Sequence, residues 1–122
     1  MNYAIEDTDL DEMDKLIEYY NGIRREEGFG SVWSMWTTNE WIDMKDVSGI
    51  PVGTVIRHSD AWGKITRATV EGETWLDVWK ACNEAIVESG DTFHIFIEDL
   101  MWTTIEQPDG TVDKFLDLVS GS

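Results

Sequence analysis

The stretch from Thr74 to Gly90 admits little choice of structure. Thr74 stands three residues before Asp77, the spacing of a reciprocal N-terminal cap, and Gly90 sits where a helix closes on a left-handed residue. Between them Trp75, Val78, Trp79, Cys82, Ala85 and Ile86 recur at helical spacing on one stripe. A helix that concentrates two tryptophans on one face must lay that face on another element. Strand-like segments before and after it predict that this element is a sheet.

The clearest strand signal precedes the helix. Two runs between Gly53 and Val70 flank Asp60-Ala61-Trp62-Gly63, and Gly63 can take the positive φ of a bulged three-residue loop. With that loop, Asp60 faces Lys64, and alternation places Ile56, His58, Thr66 and Ala68 on one face of a hairpin. Arg57 then lies opposite Arg67 on the other face. Like charges across a ladder repel unless an anion lies between them. The ordinary resolution is that carboxylates of an acidic helix pair with both arginines. The alternative is an anion or nucleotide site in which Arg57 and Arg67 hold phosphate and Trp62 stacks on a base.

The remaining elements follow from the same rules. Leu10, Met13, Leu16, Ile17 and Tyr20 form one helical stripe, which Thr8 or Asp9 can cap. The end falls either at Asn21-Gly22 or after Arg24 and Arg25, before Gly28. Residues 31–37 read as a short aromatic strand, followed by a turn or short helix that presents Trp41 and Ile42. Phe93, Ile95 and Ile97 alternate with Thr92, His94 and Phe96, a pattern apolar on both faces that predicts a central strand with His94 as a satisfied core histidine. Leu100 to Ile105 extends it or forms the next strand. Pro108-Asp109-Gly110 is a turn, and 111–119 returns as the last strand. The expectation is one α+β domain over 1–119: a mainly antiparallel sheet of about four to six strands with two main helices packed on it. Residues 120–122 are expected to form a mobile tail.

Charge bounds the function. The 122 residues carry 25 acids against nine bases, a net charge of -16. Residues 31–72 contribute only -1 of it, so the acids concentrate on the two flanks. Such a surface does not hold a nucleic-acid backbone, whose binding depends on cationic side chains displacing counterions. It also disfavours anionic membranes, and no apolar run approaches the roughly 20 residues that span a bilayer. A basic protein is its natural complement. The single cysteine, Cys82, and opening residues with no basic or apolar leader pattern predict a cytoplasmic setting.

Chemistry-bearing patterns are sparse. Asp7-x-Asp9-x-Asp11-Glu12-x5-Glu18 resembles an EF-hand calcium loop, but Glu12 stands where the turn needs Gly and no helix fits before Asp7. A capped helix with a solvated acidic face is expected instead, with no metal. One Cys and two His at 58, 82 and 94 give no zinc spacing, and Cys82 on an apolar stripe reads as an inert small hydrophobe. Gly28-x-Gly30 lacks the strand, third Gly and helix of a dinucleotide loop. No catalytic residue and no cofactor is expected.

Seven tryptophans exceed what so small a core readily buries. Trp75 and Trp79 read as core; Trp36, Trp41 and Trp62 are expected as exposed anchors of an interface. The acidic face expected to meet a partner comprises Asp7, Asp9, Asp11, Asp14 and Glu18 on the first helix, with Glu98, Asp99, Asp113 and Asp117 near the C-terminus. In composition the chain resembles the small acidic inhibitors of bacteriophages and mobile elements, which block host nucleic-acid-binding or defence proteins, some by mimicking the charge of DNA. That resemblance implies a non-enzymatic inhibitor or charge mimic. The alternatives are the nucleotide binder above and a structural subunit of a larger assembly, such as a virion, whose Trp patch makes a homo-oligomer.

Overall fold

A computed structural model describes residues 3–33, 42–60 and 62–121, with side chains from Asp14 onward apart from those gaps. Among the described residues, two helices, α1 (Tyr3–Glu27) and α2 (Trp75–Ser89), accompany five strands: β1 (Val32–Trp33), β2 (Val55–Ser59), β3 (Ile65–Thr69), β4 (Phe96–Glu106) and β5 (Val112–Gly121). The strands form one sheet in the order β1-β4-β5-β2-β3. The α+β expectation holds, but the sheet is mixed. Its longer ladders, β2 with β3 and β4 with β5, are antiparallel; β2–β5 and β1–β4 are parallel. Two hairpins are thus zipped side by side, with β5, late in sequence, at the centre.

Helix α2 forms as its caps require. Thr74 accepts a hydrogen bond from the Asp77 N–H, the Asp77 carboxylate accepts one from the Thr74 N–H, and Gly90 closes the helix at φ 78°. Val78, Trp79, Cys82, Ala85 and Ile86 are buried against Ile56, Ala68, Leu116 and Leu118 of the sheet, while Trp75 is partly buried. Trp79 organises the centre. Its indole packs against Tyr20 and Phe29 and against Trp33 of β1, and its Nε1–H donates to Ser31 Oγ at 3.1 Å.

Helix α1 starts earlier than its capping signals suggest and ends at the later of its two expected termini, after Arg24 and Arg25 and before Gly28. It runs through Thr8 and Asp9, so neither caps it, and through Asn21-Gly22 to Glu27, with Gly28 at φ 70° beyond. A glycine costs a helix interior about 1 kcal/mol relative to alanine. The apolar stripe offsets this by continuing past Gly22, with Leu16 and Tyr20 buried and Ile23 packed on the same core. Ile17, by contrast, is largely exposed. Asp7 to Glu18 lie on continuous helix rather than in a calcium loop. Arg24 donates to the Phe29 and Gly30 carbonyls as the chain leaves α1.

Strand β4 begins at Phe96, not at Phe93. The Asp91 carboxylate accepts hydrogen bonds from the backbone N–H groups of Phe93 and His94, which turns the chain there and leaves Phe93 exposed. His94 therefore lies near the surface, with Nδ1 2.6 Å from Asp91; the core histidine is His58. A register shift between Ile97 and Asp99 then re-phases β4, so that Ile97 and Leu100, three residues apart, both face the core. Beyond the turn at Gly110, β5 continues past Val119, where the strand was expected to end, and Ser120 and Gly121 pair with Ile97 and Phe96. Among the described residues, no helix is long and apolar enough to cross a membrane.

The reciprocal cap of α2 gives a direct check. Thr74→Ala is expected to lower stability by about 1 kcal/mol in urea denaturation without changing the fold seen by circular dichroism.

Candidate functional site

Among the described residues, the sheet is covered on one side only. Residues that alternate toward α2 are the buried ones: Ile56, His58, Thr66, Ala68, Leu116 and Leu118. The intervening residues point away from both helices, and none of those described is buried. Cross-strand register fixes which side chains share that open face. One row reads Met101, Asp117, Arg57, Arg67 across β4, β5, β2 and β3; the next reads Thr103, Phe115, Val55, Thr69. Asp99, Val119 and Ile65 lie to one side of these rows, Ile105 and Asp113 to the other. Met101, Ile65, Val119 and Ile105 are all exposed.

The centre of this face is an ion pair held by more than charge. Arg57 Nε and Nη2 donate to the two carboxylate oxygens of Asp117 at 2.7 and 2.8 Å. The Thr103 hydroxyl donates to Asp117 Oδ2 at 2.5 Å, and the guanidinium lies over the Phe115 ring, 5.0 Å from its centroid. The bond from Arg57 holds the Asp117 carboxyl below the usual carboxylate range, against a smaller opposing effect of burial. The same contact raises Arg57. Both side chains keep some solvent contact, 18% and 29% exposed, so the pair contributes modestly to stability.

Arg57 and Arg67 do face each other in the expected register, but the anion that relieves their repulsion is Asp117 from the neighbouring strand rather than a carboxylate of a helix. Asp117 occupies the Nε–Nη2 side of the Arg57 guanidinium. Arg67 is exposed and, among the described residues, makes no hydrogen bond or ion pair. Trp62 is exposed at 82% on the β2–β3 turn. Trp36 and Trp41 lie outside the described residues. Trp102 is half exposed on β4, with Lys114 Nζ 4.2 Å above its ring.

The acids expected at an interface divide. Asp117 is partly exposed and engaged by Arg57 of the same chain. Asp14 and Glu18 are exposed on α1, as are Glu98, Asp99 and Asp113 on the β4–β5 hairpin. Asp7, Asp9 and Asp11 lie on α1 before the residues whose side chains are described. Glu98 reaches over Gly121, where a Cβ would collide with its carboxylate. Among the described residues, only Arg57–Asp117 and His94–Asp91 join a carboxylate to a basic side chain, and no group of three His, Cys, Asp or Glu could hold a metal.

Two polar groups on the covered side were not legible as a pair. His58, 1% exposed, shares a hydrogen bond with Ser120 Oγ at 3.0 Å, while its Nδ1 is buried with no partner. A nucleophilic serine needs a histidine oriented by a third group. Here Nδ1 has none, since Asp91 serves His94. The alternation of His58 with Ile56 was the available signal for its burial. Cys82 is fully buried, and desolvation pushes its thiol far up, which keeps it unreactive. The hollow lined by Asn21, Arg24, Arg25, Gly28 and Phe29 is open, and Arg24 there is committed to backbone carbonyls.

No protein-family model matches the chain, and neither a curated protein nor a solved structure does.

Two expectations follow. Burial lowers the His58 pKa below its ordinary value, so the unfolded chain binds more protons than the folded one once the pH falls below about 6.5. Stability should be complete above that value and decline below it, and His58→Gln should flatten this slope in melts run across the same range. For the ion pair, Arg57→Ala strands a half-buried carboxylate and should cost about 2 kcal/mol. A double-mutant cycle with Asp117→Ala, read by urea midpoints, should return a coupling of about 1 kcal/mol.

Proposed function

We propose that this protein is a non-enzymatic binding protein that engages a partner with a basic surface, in the manner of an inhibitor or charge mimic. The observation that carries this reading is the lack of internal neutralisation. The net charge is -16, yet the described residues pair only two carboxylates with basic side chains. Unpaired acids at this density cost stability through self-repulsion. They also create a field that steers a cationic partner and rejects nucleic acid and anionic membranes.

The acids of α1, from Asp7 through Glu18, and those of the β4–β5 hairpin, Glu98, Asp99 and Asp113, supply that field. Trp62, exposed on its turn, supplies an aromatic anchor of the kind enriched at interface hot spots. The partner would be a nucleic-acid-binding or defence protein of the same reducing compartment, whose basic groove the acids occupy in place of phosphates.

The test is capture of a basic protein from lysate at low salt, followed by calorimetry with the purified partner. Replacing Asp9, Asp11, Asp14 and Glu18 by Asn or Gln should weaken the complex by roughly tenfold and flatten its salt dependence. Unchanged affinity and salt slope in that variant would sink the reading.

A further inference from the structure

We propose that the helix-free face of the sheet is the interface of a homodimer, closed by a two-fold axis that runs parallel to the strands between β5 and β2. The inference stands on the order of side chains across the face and is independent of the basic partner proposed above.

The central row reads Met101, Asp117, Arg57, Arg67 from β4 to β3. An axis along the strands reverses this row and lays it on itself. Asp117 of one copy then meets Arg57 of the other, twice by symmetry, and each Arg67 lies over the other copy's Met101, two residues from its Asp99. The adjacent row, Thr103, Phe115, Val55, Thr69, reverses onto itself with Phe115 over Val55 and threonine over threonine. A two-fold across the strands would instead stack Arg57 on Arg57 and Asp117 on Asp117. The charge pattern therefore selects one symmetry, and the face is self-complementary under it, as an isologous interface requires.

Burial of this centre is inexpensive because its charges are already matched. Asp117 accepts two bonds from Arg57 and one from Thr103, so docking leaves no orphaned carboxylate. Arg67, without a partner among the described residues, is brought within side-chain reach of the other copy's Asp99. Around these charges, exposed Ile65, Met101 and Val119 supply apolar surface that isolated chains leave in water. Aligned packing of twisted sheets rotates one against the other by about 30°, within reach of an arginine moving from Met101 toward Asp99. Four strands spaced about 4.8 Å apart, each contributing about five residues of 3.3 Å, give a footprint of roughly 20 by 17 Å. That is well under the roughly 800 Å² per partner of a standard stable interface, so a weak, transient dimer with a Kd on the order of hundreds of micromolar is expected.

Outside the face the two copies are strongly acidic, which sets an unusual sign. Added salt screens their mutual repulsion, so self-association should strengthen as salt rises, whereas a complex with a basic partner should weaken. The two readings fail separately.

Sedimentation velocity from micromolar to near-millimolar concentration, at low and moderate salt, tests the proposal on the chain alone. The expected result is a monomer–dimer equilibrium that tightens with salt. Met101→Lys, facing the second copy's Arg67, should weaken it by roughly tenfold or more, and Met101→Glu should preserve or tighten it. Met101 is an exposed side chain, so both variants should fold as the parent does, checked by circular dichroism. A monomer at all concentrations overturns the proposal, as does an equal response, or none, in the two Met101 variants. Should the chain stay monomeric while Met101→Lys abolishes capture of a basic protein, the face belongs to that protein instead.

Discussion

Trp79 is the residue through which the separate parts of this fold hold one another. Its indole touches Tyr20 and Phe29 from the α1 end of the chain and Trp33 from β1, and its N–H is taken by Ser31. Ser31 is held in turn by the Asn83 side chain, one turn further along α2. A single fully buried side chain thus joins both helices and the outer strand, with a polar edge that is satisfied only if all are in place. Tyr19 and Tyr20 extend the join by bonding the backbone at Ile42 and Met44, which ties the segment before β2 to α1. Among the described residues, one side of the sheet takes all this packing, and the other is left bare.

That asymmetry gives the molecule two surfaces of different character. Asp14 and Glu18 of α1 and the acids of the β4–β5 hairpin are exposed, and few described carboxylates are neutralised, a long-range electrostatic feature. The exposed sheet face carries one matched ion pair, Arg57–Asp117, among apolar side chains. Arg57 and Asp117 sit where the second surface would otherwise fail: two adjacent arginines would repel, and the bidentate carboxylate from β5 turns that repulsion into an anchored pair.

Local chemistry was legible where it is self-sufficient. The α2 caps, the β2–β3 register down to Arg57 opposite Arg67, and the turn at Gly110 all follow from residues within a few positions of one another. What could not be read depends on distant partners. The run from Phe93 to Ile97 looks like a strand until the Asp91 carboxylate captures two of its N–H groups. The anion beside Arg57 comes from 60 residues away, and nothing local distinguishes Asp117 from the other carboxylates of an acidic chain. The open face was invisible for a related reason: Met101, Val119 and Ile65 belong to three strands and become neighbours only once β5 is placed between β4 and β2.

The placement of β5 bears on how the chain reaches this state. The strand that comes last in sequence occupies the middle of the sheet, with β4 on one side and β2 on the other. Until it arrives, the β2–β3 hairpin has only α2 to lean on and β4 has no long partner, so the first hundred residues hold two half-sheets with open edges. Closing the sheet joins β2 to a segment 60 residues distant, a contact of high loop-closure entropy and slow formation. The cooperative core of the sheet therefore depends on a contact made across 60 residues, and open strand edges are expected wherever that contact is lost.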